Sequence, residues 1–292
     1  MIDFENVCSY VENVSLKQLT TIKIGGIASF VCYPKTVSEL IKTKELCAKH
    51  KILPIILGNG SNVLILDNFS GVVLSTKKLN SISFFSTSKV RVGAGVSLSV
   101  LCAECEKKGY YCLSPLSGIP GTVGGAVVMN AGAFCTEIAQ FVDSVVVLNN
   151  GKVITLPKSQ LFFDYRKSAF TNNQNCVILE VVFQLSKSTP SLNIIHYAHL
   201  RHKTQNVGYP SMGSVFKRQG ELIPAKLIES CGLKGTKIGG AMVSCVHSGF
   251  IVNTGGATSS DVMKLIELIR KRVKQKFGVW LELEIVILGG KN

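Results

Sequence analysis

The stretch Ile55-Ile56-Leu57-Gly58-Asn59-Gly60-Ser61-Asn62-Val63-Leu64-Ile65 most tightly limits how this chain can fold. Two short runs of branched apolar residues, the kind that favour strands, enclose five small ones. Gly58 and Gly60 are free to take positive φ and to let a ligand approach the backbone, while Asn59, Ser61 and Asn62 suit a turn and add hydrogen-bonding groups. Backbone N–H groups converging at such a loop form an anion-binding concavity, for which a phosphate-bearing cofactor is the natural guest. A plain turn between strands fits the same spacing. The loop lacks the Gly-Lys-Ser/Thr ending of a P-loop. Val63 stands where a dinucleotide fingerprint needs its third glycine, and a strand rather than a helix follows.

A second glycine cluster, Ser117-Gly118-Ile119-Pro120-Gly121-Thr122-Val123-Gly124-Gly125-Ala126, leads into Met129-Asn130-Ala131-Gly132-Ala133. Surface loops are ordinarily more polar, so this backbone is expected to lie tight against something large and flat. Close packing of the protein on itself is the plainer reading. Two glycine-rich loops in one lobe favour a shared dinucleotide ligand.

Around these loops the pattern is mixed. The ordered part is expected to open at Thr21, with a strand at 28–32. Thr36-Val37-Ser38-Glu39 is a capping box that starts a helix to about Lys49. Strands are expected at 52–57, 63–66, 72–75, 82–85 and 90–93, then a helix from an N-cap at Ser97 to a stop at Gly109. Further strands are expected at 145–148, 153–156 and 177–185. Lys187-Ser188-Thr189-Pro190-Ser191 reads as a linker and sets the domain division: residues 1–190, in lobes of about 1–78 and 79–190, and residues 191–292. The second part carries a helix near 224–230, a strand at 249–253 and a long helix capped by Thr258. Val262, Leu265, Ile266, Ile269 and Val273 form that helix's core face. A closing strand at 281–289 is a candidate to return to the first lobe, with Glu282 and Glu284 on one face. The fold class is α+β.

Composition narrows the function. With 46% hydrophobic and 17% charged residues over 292 positions, the chain is a folded protein without a long disordered tail. No apolar run suits a membrane span and the N-terminus does not read as a secretory signal, so no membrane insertion is expected and the cytoplasm is the expected compartment. The ten cysteines are then expected reduced; Cys102 and Cys105, the only C-x-x-C pair, read as core on the apolar face of the helix after Ser97. A net charge of +14 invites nucleic acid. Yet the basic residues are scattered, and the densest run, Arg270 to Lys276, ends a helix, where cations complement the dipole. Phosphate-bearing small molecules account for the charge better. His196, His199 and His202 fan too widely on a helix to share a metal ion, so a solvated face is expected and no metal site. Ser214 is no hydrolase elbow, because Met212 and Phe216 stand at the glycine positions.

Taken in order, seven features identify a family: Thr21-x-x-x-Gly25-Gly26, Leu57-Gly58-x-Gly60-Ser61-Asn62, Gly118-Ile119-Pro120-Gly121-x-x-Gly124-Gly125, Asn130-Ala131-Gly132-Ala133, Tyr165-Arg166-x-Ser168, Gly213-Ser214-x-Phe216-Lys217 and Glu284. From Thr20 to Gly289 the chain resembles the UDP-N-acetylenolpyruvoylglucosamine reductase family. The resemblance implies an FAD-binding PCMH-type (vanillyl-alcohol-oxidase-like) domain in two lobes and a C-terminal α+β substrate domain. It implies NADPH-dependent reduction of UDP-N-acetylenolpyruvoylglucosamine to UDP-N-acetylmuramate through FAD, in bacterial peptidoglycan precursor synthesis. Gly58, Asn59, Gly60, Ser61 and Asn62 are implied to hold the FAD pyrophosphate. Gly118, Ile119, Pro120, Gly121, Gly124, Gly125 and Ala126, with Asn130, Ala131 and Gly132, are implied to run along the cofactor. Tyr165, Lys217 and Arg218 would meet the substrate. Arg166 and Glu284 would polarise its carboxylate, and Ser214 would supply a proton. The short separations between Arg166, Ser214 and Glu284 match the family's shorter form, without a tyrosine-bearing loop, and Val286 stands where many relatives have Arg. NADPH and a nucleotide sugar are the expected partners, with no nucleic acid, and a monomer is assumed.

Two rivals stand beside this reading. A basic module binding nucleic acid or nucleotide leaves the second glycine cluster, Arg166 and Glu284 unexplained. Another flavin oxidoreductase of the same superfamily would not call for Gly213-Ser214-x-Phe216-Lys217.

Overall fold

The structure, a computed structural model, describes residues 2–173, 175–187, 192–205 and 208–289; positions 188–191 of the expected linker lie outside them. Two compact units result. One comprises Met1–Glu12, Phe30–Asn59 and Val72–Leu200, the other Asn13–Ser29, Gly60–Gly71 and Arg201–Asn292. Compactness thus cuts the chain differently from a linear division at 190, and one cut falls inside the first glycine loop, between Asn59 and Gly60.

In the first unit a four-stranded sheet orders Ser9–Ser15, Ile27–Tyr33, Val72–Ser75 and Ile55–Leu57. The last three are parallel, as a crossover through helix α1 (Val37–Lys49) allows. Thr36 caps α1, accepting from Glu39 N at 3.1 Å, while the Glu39 carboxylate accepts from Lys35 N at 2.9 Å, one residue outside the usual box. Order therefore begins before Thr21. The strand Ser9–Ser15 is mostly exposed, so no apolar alternation marks it in the sequence.

A five-stranded antiparallel sheet follows, in the spatial order Lys152–Pro157, Val142–Asn149, Cys176–Gln184, Lys89–Gly93 and Ile82–Phe84. Helices α2 (Leu98–Lys107) and α3 (Val123–Val128) share its core, where Leu98, Leu101, Val123 and Val127 join Val92, Val145, Val181 and Phe183. Cys102 and Cys105 belong to that core. Cys102 Sγ donates to Leu113 O at 3.1 Å, and burial pushes the Cys105 thiol up to about 12. All ten cysteines are free thiols. Helix α4 (Ile194–Gln205) turns His196, His199 and His202 to solvent.

The second unit is built on an antiparallel sheet ordered Ser211–Ser214, Phe250–Asn253, Ala241–Val243 and Lys237–Ile238. Helices α5 (Pro224–Ser230) and α6 (Ser259–Phe277) cover it. Thr258 and Asp261 complete the capping box of α6, whose Val262, Leu265, Ile266, Ile269 and Val273 are all buried, as their spacing predicts. Ile22, Ile24 and Leu64, from the two early segments, lie in the same core. Asp67 Oδ2 accepts from both Ser259 N and Ser259 Oγ at 2.7 Å, tying one early segment to the start of α6. The closing strand is shorter than expected: Val286–Leu288 pairs in parallel with Val63–Ile65. Among the described residues no helix is long and apolar enough to cross a membrane.

Candidate active site

Within the first unit the two glycine-rich stretches meet. A Cβ on Gly58 would stand 2.3 Å from Thr122 Oγ1, and Asn59 Nδ2 donates to Pro120 O at 3.1 Å. Thr122 caps α3, accepting from Gly125 N at 3.4 Å. Gly124 is buried against Ala94, whose Cβ an added Cβ would approach to 2.9 Å. Packing of the protein on itself therefore explains Gly58 and Gly124. Gly58 is also not left-handed, contrary to the freedom expected of it. In the second unit Gly60 is, at φ +62°, and a Cβ there would meet Leu19 O at 2.3 Å.

Gly125 is different. It is exposed, and the nearest atom to an added Cβ is Thr122 Oγ1 at 3.5 Å. A glycine there costs the helix about 1 kcal/mol relative to alanine, and the protein's own packing does not require it. Nearby in sequence, Ser117 Oγ is the buried side-chain polar atom without a hydrogen-bond partner among the described residues. Such a group costs about 1–3 kcal/mol unless something supplies the partner.

Arg166 sits with Tyr165 at the tip of the hairpin joining Phe163–Asp164 to Lys167–Ser168, in the left-handed region at φ +52°. Its Nη1 donates to Asn130 O at 3.3 Å and its Nη2 to Gly132 O at 3.0 Å. The guanidinium lies 4.8 Å from the Tyr165 ring centre and 3.7 Å from Glu137 Oε1. Asn130 is buried and fixed in turn. Its Nδ2 donates to Glu137 Oε2 at 2.9 Å and Asp164 O at 3.0 Å, and its Oδ1 accepts from Ala139 N at 3.3 Å. Asn130 and Gly132, implied as cofactor neighbours, thus hold Arg166.

The second unit assembles the other candidates. Beyond Ser214 the chain runs antiparallel to the stretch ending at Glu284: Glu284 N donates to Val215 O at 2.8 Å, Phe216 bridges Leu283, and Lys217 N donates to Glu282 O at 2.9 Å. Asn62 fixes the far side, donating from Nδ2 to Glu284 O at 3.1 Å and accepting from Val286 N at 2.9 Å. Asn62 and the stretch Val215–Lys217 are thereby backbone neighbours of Glu282–Glu284, with Ser214 the residue just before that stretch. Glu282 is exposed and Glu284 half-buried; flanking the Leu283 bridge two residues apart, they fall on one face of the pairing, and the chain bends at Ile285 before the ladder of Val286–Leu288 begins. Arg218 is exposed in a surface turn, its Nε donating to Gly220 O at 2.9 Å and its Nη2 3.8 Å from Glu221.

Sequence reasoning passed over Glu137 and His247. Glu137 is the first charged residue after Lys108, a signal that was available. His247 Nδ1 accepts from Gly249 N at 3.2 Å, and burial pushes its pKa down.

Residues 28–157 match the family described as FAD binding domain, and residues 205–288 match UDP-N-acetylenolpyruvoylglucosamine reductase, C-terminal domain. A UDP-N-acetylenolpyruvoylglucosamine reductase of Clostridium botulinum is 42% identical over 282 residues, 95% of this chain and 92% of the relative. The chain belongs to the UDP-N-acetylenolpyruvoylglucosamine reductase family. A Thermotoga sp. reductase of that name is 42% identical over 92% of this chain and 90% of its own. The crystal structure of the Thermus caldophilus reductase matches with a TM-score of 0.79 at 31% identity, covering 96% of this chain and 98% of that one. Like other members of the reductase family, the chain has the PCMH-type FAD-binding fold and a C-terminal α+β domain. The clear face at Gly125 and the unpaired Ser117 hydroxyl fit an FAD-binding domain.

Proposed function

We propose that this chain reduces UDP-N-acetylenolpyruvoylglucosamine to UDP-N-acetylmuramate, with NADPH as reductant and FAD as carrier, in peptidoglycan precursor synthesis. The observation that carries this reading is the backbone ladder that pairs Val215–Lys217, directly after Ser214, with Glu282–Glu284 in a chain of this family. Gly58, Asn59 and the stretch 118–126 would hold FAD, with Ser117 finding its missing partner there. When bound, FAD would supply the hydride chemistry, linking oxidation of NADPH to reduction at the enolpyruvyl methylene carbon. Negative charge then builds beside the substrate carboxylate. Arg166, already fixed by two carbonyls, stabilises that charge without reorganising, and Glu284 polarises the same group. Ser214 delivers a proton to the carbon next to the carboxylate, assisted by Lys217, which also meets the nucleotide's phosphates. With NADPH and a nucleotide sugar as substrates, the enzyme works in the cytoplasm.

The test is spectroscopic. Purified protein supplied with FAD should show a flavin absorption band that NADPH bleaches and the enolpyruvyl nucleotide restores, with UDP-N-acetylmuramate formed. Protein that takes up no FAD would favour a basic binding module. Bleaching reversed by oxygen alone would favour another flavin oxidoreductase.

A further inference from the structure

Arg166 stands in a cradle more elaborate than a two-residue turn needs. Four non-glycine residues here adopt left-handed backbone: Asn130 at φ +41°, Phe134 at +50°, Cys135 at +60° and Arg166 at +52°. Each such residue costs on the order of 1–3 kcal/mol and persists only where its surroundings fix it. Phe134 and Cys135 form the tip of the hairpin Gly132–Ala133/Thr136–Glu137, a turn for which Asn-Gly is the usual choice. The Phe134 ring holds that tip against Tyr197, with centroids 5.0 Å apart. In the hairpin's register Glu137 faces Gly132, whose carbonyl accepts from Arg166. One hairpin therefore delivers a carbonyl and a carboxylate to the same guanidinium. Gly132 leaves the necessary room: a Cβ on it would lie 3.0 Å from Glu137 Cγ and 3.3 Å from Arg166 Nη1.

We propose that Glu137 is the positioning residue of Arg166, setting the orientation in which the guanidinium meets the substrate carboxylate. The inference rests on the reading of Arg166 given above. Glu137 acts by two routes. Its Oε1, 3.7 Å from Nη1, is too far for a hydrogen bond and supplies charge attraction, which is modest with side chains 37% and 18% exposed. Its Oε2 accepts from the Asn130 amide at 2.9 Å, and Asn130 in turn offers its carbonyl to Nη1. Asn130 is 1% exposed and its donors are engaged inside the protein, so the second route runs through a rigid group. An ordinary surface ion pair would not be built onto a buried left-handed asparagine.

The test uses holoenzyme carrying Glu137→Ala, Glu137→Gln, Arg166→Met and the double change Glu137→Ala/Arg166→Met, with the two half-reactions followed by stopped flow. In Glu137→Ala, reoxidation by the enolpyruvyl nucleotide should slow by about 10²-fold, the scale for a reacting group displaced by about an ångström. Glu137→Gln keeps an acceptor for Asn130 but loses the charge, and should slow by roughly 10-fold. FAD content and reduction by NADPH should be unchanged in both. Calorimetric affinity for UDP-N-acetylmuramate should fall by only about threefold, since placement matters most where charge develops. The double variant should reoxidise as slowly as Arg166→Met, because nothing is left to position. Should Glu137→Ala not hold FAD, Glu137→Gln decides alone. The inference is overturned if both Glu137 variants reoxidise within about twofold of the unaltered enzyme while Arg166→Met is slow. It is equally overturned if the two changes multiply in the double variant. Arg166→Met at the unaltered rate would instead remove the reading on which the inference stands.

Discussion

The hairpin carrying Arg166 in the first unit and the paired stretches carrying Ser214 and Glu284 in the second are held by different means. Around Arg166 side chains join two backbone carbonyls, Asn130 O and Gly132 O, in the fixing: the Glu137 carboxylate, the Tyr165 ring and, through Glu137, the Asn130 amide. Around Ser214 and Glu284 backbone bonds run from amide to carbonyl, and the Asn62 side chain joins in. A backbone ladder survives exchange of the side chains it displays, whereas a side-chain cradle shifts with each substitution in it. Changes next to Arg166 should therefore act through geometry, and changes at Ser214 or Glu284 through chemistry alone.

The sharpest way to break that contrast is Ser214→Ala. The ladder does not use the hydroxyl, so thermal stability and NADPH reduction should stay near those of the unaltered enzyme. Reoxidation by the enolpyruvyl nucleotide should fall by roughly 10²- to 10⁴-fold, the range for loss of a positioned general acid. A variant that reoxidises normally would show that Ser214 is not the donor. Next come two adjacent glycines of the first unit. Gly124→Ala forces its Cβ to 2.9 Å from Ala94 Cβ and should destabilise the apoprotein by about 1–3 kcal/mol. Gly125→Ala has room, and should stabilise it by about 0.5–1 kcal/mol while weakening FAD uptake. Equal effects in a melting curve and an FAD titration would refute the division between a packing glycine and a ligand glycine. The smallest effect concerns pH in the second unit. Burial holds the pKa of His247 below its ordinary 6.5, so the unfolded chain takes up its proton first. The stability contributed is complete above pH 6.5 and lost as pH falls toward the folded value. Denaturation between pH 7 and 5 should show the loss, and His247→Asn, which keeps an acceptor for Gly249 N, should flatten it.

Legibility in the sequence followed the physics of each element. Helix α6 announces itself through its cap and apolar spacing, because both signals are local. Helix α3 does not: its glycines carry no periodicity, and its buried face becomes visible only against Ala94 and the five-stranded sheet. The neighbourhood of Ser214 and Glu284 joins residues far apart in the chain, and no local pattern encodes that pairing. Collinear motifs pointed to both residues, yet gave no hint that Asn62 binds the Glu284 backbone. Glu137 escaped because its meaning lies in the hairpin register opposite Gly132, which depends on a strained turn of unusual composition.

The order in which the second unit's parts leave the ribosome has a cost of its own. Ile22, Ile24 and Leu64 are synthesised early, but the helix and strands that bury them come from the last third of the chain. At bacterial elongation speeds of about 5–20 residues per second, roughly 200 intervening residues keep those side chains uncovered for about 10 to 40 seconds. Val63–Ile65 waits as well, since its parallel partner Val286–Leu288 is made about 220 residues later. A nascent chain of this protein carries an unfinished sheet edge until Val286–Leu288 emerges. Truncation after Leu281 would leave that edge open for good, exposed to any other strand in the cell.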